Sequence, residues 1–209
     1  MGALLCALLI LQAAPGVAVS PPPAAGALSP QAHPEQAYVS QDRAVQNHFD
    51  PSASHASFSV HTRWLSTMTG RFDAPAGTLD RLPDGRIQVQ VTLRAASVDF
   101  PDSERTTRWT RSDAFFDVAT YPQIRFRSEP FTPARLRAGG PLDGLLELRG
   151  VSKPVHFVLA PSACAHPGVD CPIRAAGSIS RRAFGMTRML LLVRDDVEFA
   201  FDARLQPQP

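Results

Sequence analysis

Two stretches constrain this chain more than any other, residues 112–128 (SDAFFDVATYPQIRFRS) and residues 142–159 (LDGLLELRGVSKPVHFVL). Each contains a segment that alternates between apolar and polar residues. Ile124 and Phe126 point one way, while Gln123, Arg125 and Arg127 point the other. Val155, Phe157 and Leu159 share a face opposite Lys153 and His156. A period of two belongs to a strand with one dry side and one wet side. Such strands must cover the dry side, either with protein alone or with a guest molecule as well.

The pattern recurs along the chain. Phe58 and Val60 alternate with Ser57, Ser59 and His61. Ile87, Val89, Val91 and Leu93 alternate with polar neighbours, and the turn signal Asp84-Gly85 precedes them. Further inward rows are Leu146 with Leu148, then Ile173, Ala175, Gly177 and Ile179, and finally Val197, Phe199, Phe201, Ala203 and Leu205. Weaker strand signals fall at 69–73 and 77–79.

One segment, 102–116, lacks the alternation. Asp102 reads as a helix N-cap, and Glu104, Arg105, Arg108 and Arg111 suit an exposed helical face. Trp109, Phe115 and Phe116 are then placed to turn inward. Tyr121-Pro122 marks the return to extended backbone. A membrane-spanning barrel would carry its apolar row outside and a polar lumen. Each strand here has a single strongly apolar row, which must face inward if the sheet closes in water. The expected fold is therefore all-β, an antiparallel β-barrel of about eight strands with one short covering helix. A barrel of that size is filled by side chains or holds one small ligand.

The 209 residues suffice for one domain with a core, and a net charge of +2 gives no reason to expect a nucleic-acid partner. Residues 1–18 read as a secretory signal peptide. The apolar run at 3–11 is too short to span a bilayer, and Gly16 and Ala18 suit cleavage after Ala18, although no Lys or Arg precedes the run. Residues 19–49 are rich in Pro and Ala and read as a flexible leader. The domain is expected over 50–205, with a disordered tail at 206–209.

Removal of the signal peptide, with Cys6, leaves Cys164 and Cys171. An even count in an exported protein suggests a disulfide, and closing so short a loop contributes roughly 2–3 kcal/mol. The rival reading is a metal site from Cys164, His166, Asp170 and Cys171, but no second ligand pair stands at zinc spacing. His48, His55 and His61 are spaced so that no strand or helix face unites them, so no metal site is expected there either. The sequence has no G-x-S-x-G elbow, no phosphate loop and no dinucleotide fingerprint. No catalytic residues and no cofactor are assigned.

Several pieces stand in a family order: Phe58-Ser-Val60, Gly70-Arg-Phe72 with Gly77, and Ala96-Ser97-Val98-Asp99. They are followed by 111–117 (RSDAFFD), 121–126 (YPQIRF), 148–155 (LRGVSKPV) and 196–199 (DVEF). On these residues the chain resembles the YceI-like family of exported lipid-binding proteins. The resemblance implies a lipocalin-like barrel, a periplasmic location and an apolar tunnel for a long isoprenoid or fatty chain. Trp109, the Cys164–Cys171 loop and the longer Pro-rich leader depart from the family pattern.

On that reading the tunnel lining is assigned to Phe58, Val60, Phe72, Val89, Val91, Trp109, Phe115, Phe116, Ile124, Phe126, Leu146, Phe157, Phe184, Met186, Phe199 and Phe201. Arg105, Arg108 and Arg111 are assigned to the mouth, where they would meet a polar head group. The expected function is non-enzymatic binding of a long-chain amphiphile such as a polyisoprenoid, isoprenoid quinone or fatty amide. The alternative is an envelope stress-protection or interaction module that uses the barrel as a scaffold. The expected partner is the lipid itself, with no nucleic acid and no transmembrane span, and the reading leaves room for a homodimer.

Overall fold

The structure, a computed structural model, describes residues 46–64 and 66–207. The segment expected as a signal peptide, most of the expected leader and the last two residues lie outside them. Strands β1 (Gln46–His48), β2 (His55–Thr62), β3 (Thr67–Phe72), β4 (Ala76–Arg81) and β5 (Ile87–Arg94) come first. Helix α1 (Glu104–Arg111) and strand β6 (Gln123–Ser128) follow, then the four-residue helix α2 (Arg135–Ala138). Strands β7 (Gly140–Leu148), β8 (Val151–Leu159), β9 (Ile173–Ser180) and β10 (Val193–Ala203) complete the domain.

All ten strands join one antiparallel sheet in the order β1-β4-β5-β6-β7-β8-β9-β10-β2-β3. Two contacts outside the main ladders curl this sheet into a barrel. Phe49, just after β1, pairs with Leu205 beyond β10, and Arg71 of β3 pairs with Asp99, which follows β5. The count is ten strands rather than about eight. The two weak candidates became full strands, and β1 lies inside the segment expected as leader. Gln46–His48 pairs with β4, and Phe49 is buried in the core, so the domain starts before Asp50. The sequence showed no alternation there because β1 is only three residues long.

The inward rows are as expected. In β6, Ile124 and Phe126 are buried while Gln123, Arg125 and Arg127 are exposed. In β8, Val155, Phe157 and Leu159 are buried. The outer rows carry cross-strand ion pairs such as Arg125–Glu147 at 3.3 Å and Arg174–Asp202 at 2.9 Å. Exposed pairs of this kind contribute little stability. The β7–β8 turn places Arg149 at φ 53 and Gly150 at φ 69, left-handed geometry that glycine adopts at no steric cost. Large rings are accommodated because small residues face them. Gly70 pairs with Phe58 and Gly177 with Phe157, and a methyl group at either glycine would overlap the facing ring.

Helix α1 crosses one end of the barrel. Its N-cap is Ser103, not Asp102, because the Ser103 side chain accepts the Thr106 amide at 3.2 Å. Thr107, on the buried face of the helix, accepts the Phe100 amide at 2.8 Å. A second helix, α2, was not expected, since four residues carry no periodic signal. Cys164 and Cys171 are joined in a disulfide. Their loop pins the end of β10, as the Leu205 amide donates to the Gly168 carbonyl at 2.8 Å.

Candidate functional site

An apolar cavity lies beneath α1. Val60 of β2 and Met68 of β3 form one wall, Val193 and Val197 of β10 another, and Thr106, Trp109 and Thr110 of α1 the roof. Phe58, Phe100, Phe116 and Phe199 form its floor and sides with Leu148 and Ile179. The cavity measures about 70 Å³. A second hollow, of about 10 Å³, is lined by Val91, Leu93, Ile124, Phe126, Leu146, Phe157, Phe199 and Phe201. Phe199 borders both hollows.

The continuous tunnel expected from the sequence is therefore two hollows separated by aromatic rings. The rings stand in mutual contact. Phe58 lies 5.4 Å from Phe72, 5.5 Å from Phe100, 5.8 Å from Phe116 and 5.8 Å from Phe199, centroid to centroid. A second group joins Phe126, Phe157 and Phe201, with separations of 5.3 and 5.9 Å. Offset and edge-to-face contacts at these distances are attractive in themselves, so the rings close the interior.

The assigned lining residues divide accordingly. Phe58, Val60, Trp109, Phe115, Phe116, Met186 and Phe199 line the upper cavity. Val91, Ile124, Phe126, Leu146, Phe157 and Phe201 line the lower one with Phe199. Phe72, Val89 and Phe184 border neither and are packed in the core. Trp109 sits at the rim, 45% exposed, with its ring 5.3 Å from Phe115.

The mouth arginines also divide. Arg105 and Arg108 flank an open depression on the outer side of α1 with Trp109 and Ser112. Arg111 does not join them. Its guanidinium donates twice to the Val98 carbonyl, at 3.1 and 2.7 Å, and so ties the helix end to the turn after β5.

One wall residue was not anticipated. Arg181 is 2% exposed and lines the upper cavity. It donates to four backbone carbonyls, those of Met186, Arg188, Val193 and Arg194, at 2.7–3.1 Å. Burial pulls its pKa down, while the Asp195 charge opposes that shift. The carbonyls satisfy the cation, which stays charged. Its effect is to hold the loop 185–193 in place as a pocket wall. No sequence signal marks it, because Arg181 lies outside the alternating strands, beside a second arginine.

The polar groups at the wall are thus two threonine hydroxyls and an arginine already engaged by carbonyls. Among the described residues no group of His, Cys, Asp and Glu is arranged to hold a metal, and the two sulfurs of the Cys164 loop are bonded to each other. No helix among the described residues is long and apolar enough to cross a membrane. The arrangement suits exclusion of water from a hydrocarbon group.

A ten-stranded antiparallel barrel, with an apolar cavity at one end and a short helix over it, defines a lipocalin-like class of protein. Residues 48–205 match the YceI-like domain, and the chain belongs to that family. Solved structures share the fold. Burkholderia cenocepacia BcnA superposes with a TM-score of 0.62 at 22% identity, covering 74% of this chain and 98% of that one. A polyisoprenoid binding domain from Saccharophagus degradans, implicated in plant cell wall breakdown, gives 0.59 at 16% identity, covering 79% and 99%. The Campylobacter jejuni YceI protein gives 0.54 at 21% identity, covering 69% and 88%. No curated protein matches the chain in sequence.

Proposed function

We propose that this chain is a non-enzymatic periplasmic carrier that sequesters the tail of a long-chain amphiphile. The amphiphile is of the polyisoprenoid, isoprenoid-quinone or fatty-amide type. The observation that carries the reading is the enclosed cavity under α1, walled by apolar side chains on every strand that reaches it. The Saccharophagus relative, a polyisoprenoid binding domain on the same fold, supports it. The periplasmic address rests on the N-terminal apolar run.

The cavity of about 70 Å³ has room for roughly five water-sized groups, less than a long tail requires. Entry therefore needs the rings to part. Met68 and Met186, unbranched and adaptable, stand in the wall where that movement starts. Each buried methylene contributes about 0.8 kcal/mol, whereas association costs an estimated 4–15 kcal/mol. Short tails therefore gain too little to open the interior, and long ones are favoured. Arg105 and Arg108, on the outer side of α1, are placed to meet the head group.

Protein purified without detergent and examined by native mass spectrometry and organic extraction should carry an apolar ligand. Repeated recovery of ligand-free protein that also fails to take up long-chain amides would overturn the reading. The small lower hollow favours a second reading, a scaffold whose interior stays filled. On that reading, charge reversals on the outer strands abolish function, while a lining change such as Phe126→Ala lowers stability alone.

A further inference from the structure

Three large apolar side chains crown the pocket end of the barrel without covering anything. Trp64, in the β2–β3 turn, is 76% exposed, Leu191 is 84% exposed, and Leu192 beside it is also exposed. The two loops that carry them lie side by side. The Arg63 amide donates to the Leu192 carbonyl at 2.9 Å, and the Arg63 side chain reaches the Leu190 carbonyl at 3.4 Å. Monomeric proteins do not usually gather exposed tryptophan and leucine at adjoining loop tips unless the surface meets an apolar phase or a partner.

The position selects between these. β2 runs straight from the pocket-lining Val60 into this turn, β3 runs back from it through Met68, and Val193 pairs with Thr62 at its base. The exposed tips therefore stand over the apolar cavity. Arg63, Arg188 and Arg194 are exposed around them. Of the acids close in sequence, Asp195 is engaged by Ser180 and Arg182, which leaves Asp196 facing out. Tryptophan, leucine and surplus arginine on loop tips match the interface of an anionic bilayer, where the ring sits at headgroup depth and the cations meet phosphates.

We infer that the rim formed by Trp64, Leu191 and Leu192 docks on an anionic lipid surface and presents the pocket end of the barrel to the membrane. The inference deepens the carrier reading and rests on it for its purpose. It also explains why the rim stays apolar: a tail passing from bilayer to pocket would cross apolar side chains instead of water.

The test uses Trp64 as its own reporter. The chain has two tryptophans, so Trp109→Phe leaves Trp64 as the sole emitter. The full chain in that background is mixed with vesicles of phosphatidylethanolamine and phosphatidylglycerol whose acyl chains are brominated. Quenching of Trp64 is expected, and it reports on this loop even if the N-terminal apolar run also partitions. Trp64→Ser combined with Leu191→Ser should weaken vesicle co-sedimentation at least about tenfold. Arg63→Glu with Arg188→Glu should weaken it too and reduce its salt dependence. A Trp64 signal that ignores brominated vesicles overturns the inference. So does a vesicle-free, concentration-dependent burial of Trp64, which would assign the rim to a second copy of the chain. Uptake of monomeric fluorescent fatty amide separates the two claims. The Trp64→Ser/Leu191→Ser protein should take it up like the parent. Loss of uptake in the parent, with vesicle docking intact, would sink the carrier reading and leave the docking surface standing.

Discussion

Phe199 separates the two hollows, and its removal distinguishes a carrier from a filled scaffold. Its side chain is 5% exposed and stands 5.8 Å from Phe58 and 6.2 Å from Phe201. Phe199→Ala removes the ring that borders both the 70 Å³ and the 10 Å³ cavities and joins them. Buried Phe→Ala changes cost about 3–5 kcal/mol, which in a domain of this size lowers the melting temperature by about 6–20 °C. Both readings predict that loss, so stability alone decides nothing. The carrier reading adds a gain. The joined space admits further methylenes without a ring having to move, each contributing about 0.8 kcal/mol, so somewhat more than tenfold in affinity for every two. Titration with amides of increasing chain length should give a steeper dependence in Phe199→Ala than in the parent. Saturating ligand should also restore part of the lost stability, by about 2.7 kcal/mol at a hundred times the dissociation constant. A variant that is destabilised as expected yet binds no amide of any length would refute the reasoning.

Other expectations concern the frame around the site. Arg181→Met removes the donors to four carbonyls and should cost about 3–5 kcal/mol in urea unfolding, with faster proteolysis within 185–193; a loss below about 1 kcal/mol would show that the loop holds without it. Gly177→Ala places a methyl group on the Phe157 ring and should destabilise by about 1–3 kcal/mol, whereas Gly85→Ala, with open space around it, tests only the left-handed geometry at φ 81. Reduction of the Cys164–Cys171 disulfide should lower stability by roughly 2–3 kcal/mol, read as a shift in the melting curve, with hydrogen exchange rising first around Leu205. Burial raises the pKa of Asp195, but hydrogen bonds from Ser180 and from the Arg182 amide and side chain outweigh it and hold the carboxyl below its ordinary 3.8. A depressed folded pKa gives stability that is present above 3.8 and lost as the pH falls through the lower folded value. Asp195→Asn should therefore flatten the acid limb of a stability–pH curve, and an unchanged limb would count against the assignment.

What could be read from the sequence follows from which features repeat. Alternation in β6, β8 and β10 repeats several times per strand, so the inward faces are visible without any contact being known, whereas the pairing register is not. β1 has three residues and α2 has four, too few for either period to register. The cap expected at Asp102 falls one residue later, and only the Ser103–Thr106 hydrogen bond identifies Ser103. The site divides along the same line. Thirteen of the sixteen assigned lining residues do border a cavity, because any inward row of a barrel faces its interior. Whether such a row leaves space depends on how rings meet across the barrel, as Phe58 meets Phe100 and Phe199, and no local pattern encodes those distances.

The residues that distinguish this barrel from a solid one are those that break the alternation. The roof facing the cavity is threonine and tryptophan from a helix with arginines on its other face, so α1 is bound to the barrel by few apolar contacts. It is held at two points, by Thr107 on Phe100 and by Arg111, at its C-terminal end, on Val98. Across the mouth, the wall formed by loop 185–193 is held by the Arg181 guanidinium and by Arg63 on the Leu190 and Leu192 carbonyls instead of a ladder. Elements fixed at a few polar points open at lower free-energy cost than strands fixed along their length. The end of the barrel with the larger cavity is thus also the end whose cover can yield. On the carrier reading, a tail entering there would displace Met68 and Met186 before it met the contact between Phe58 and Phe199. That order of barriers would make ring separation, not helix movement, the step that sets the minimum length of tail worth binding.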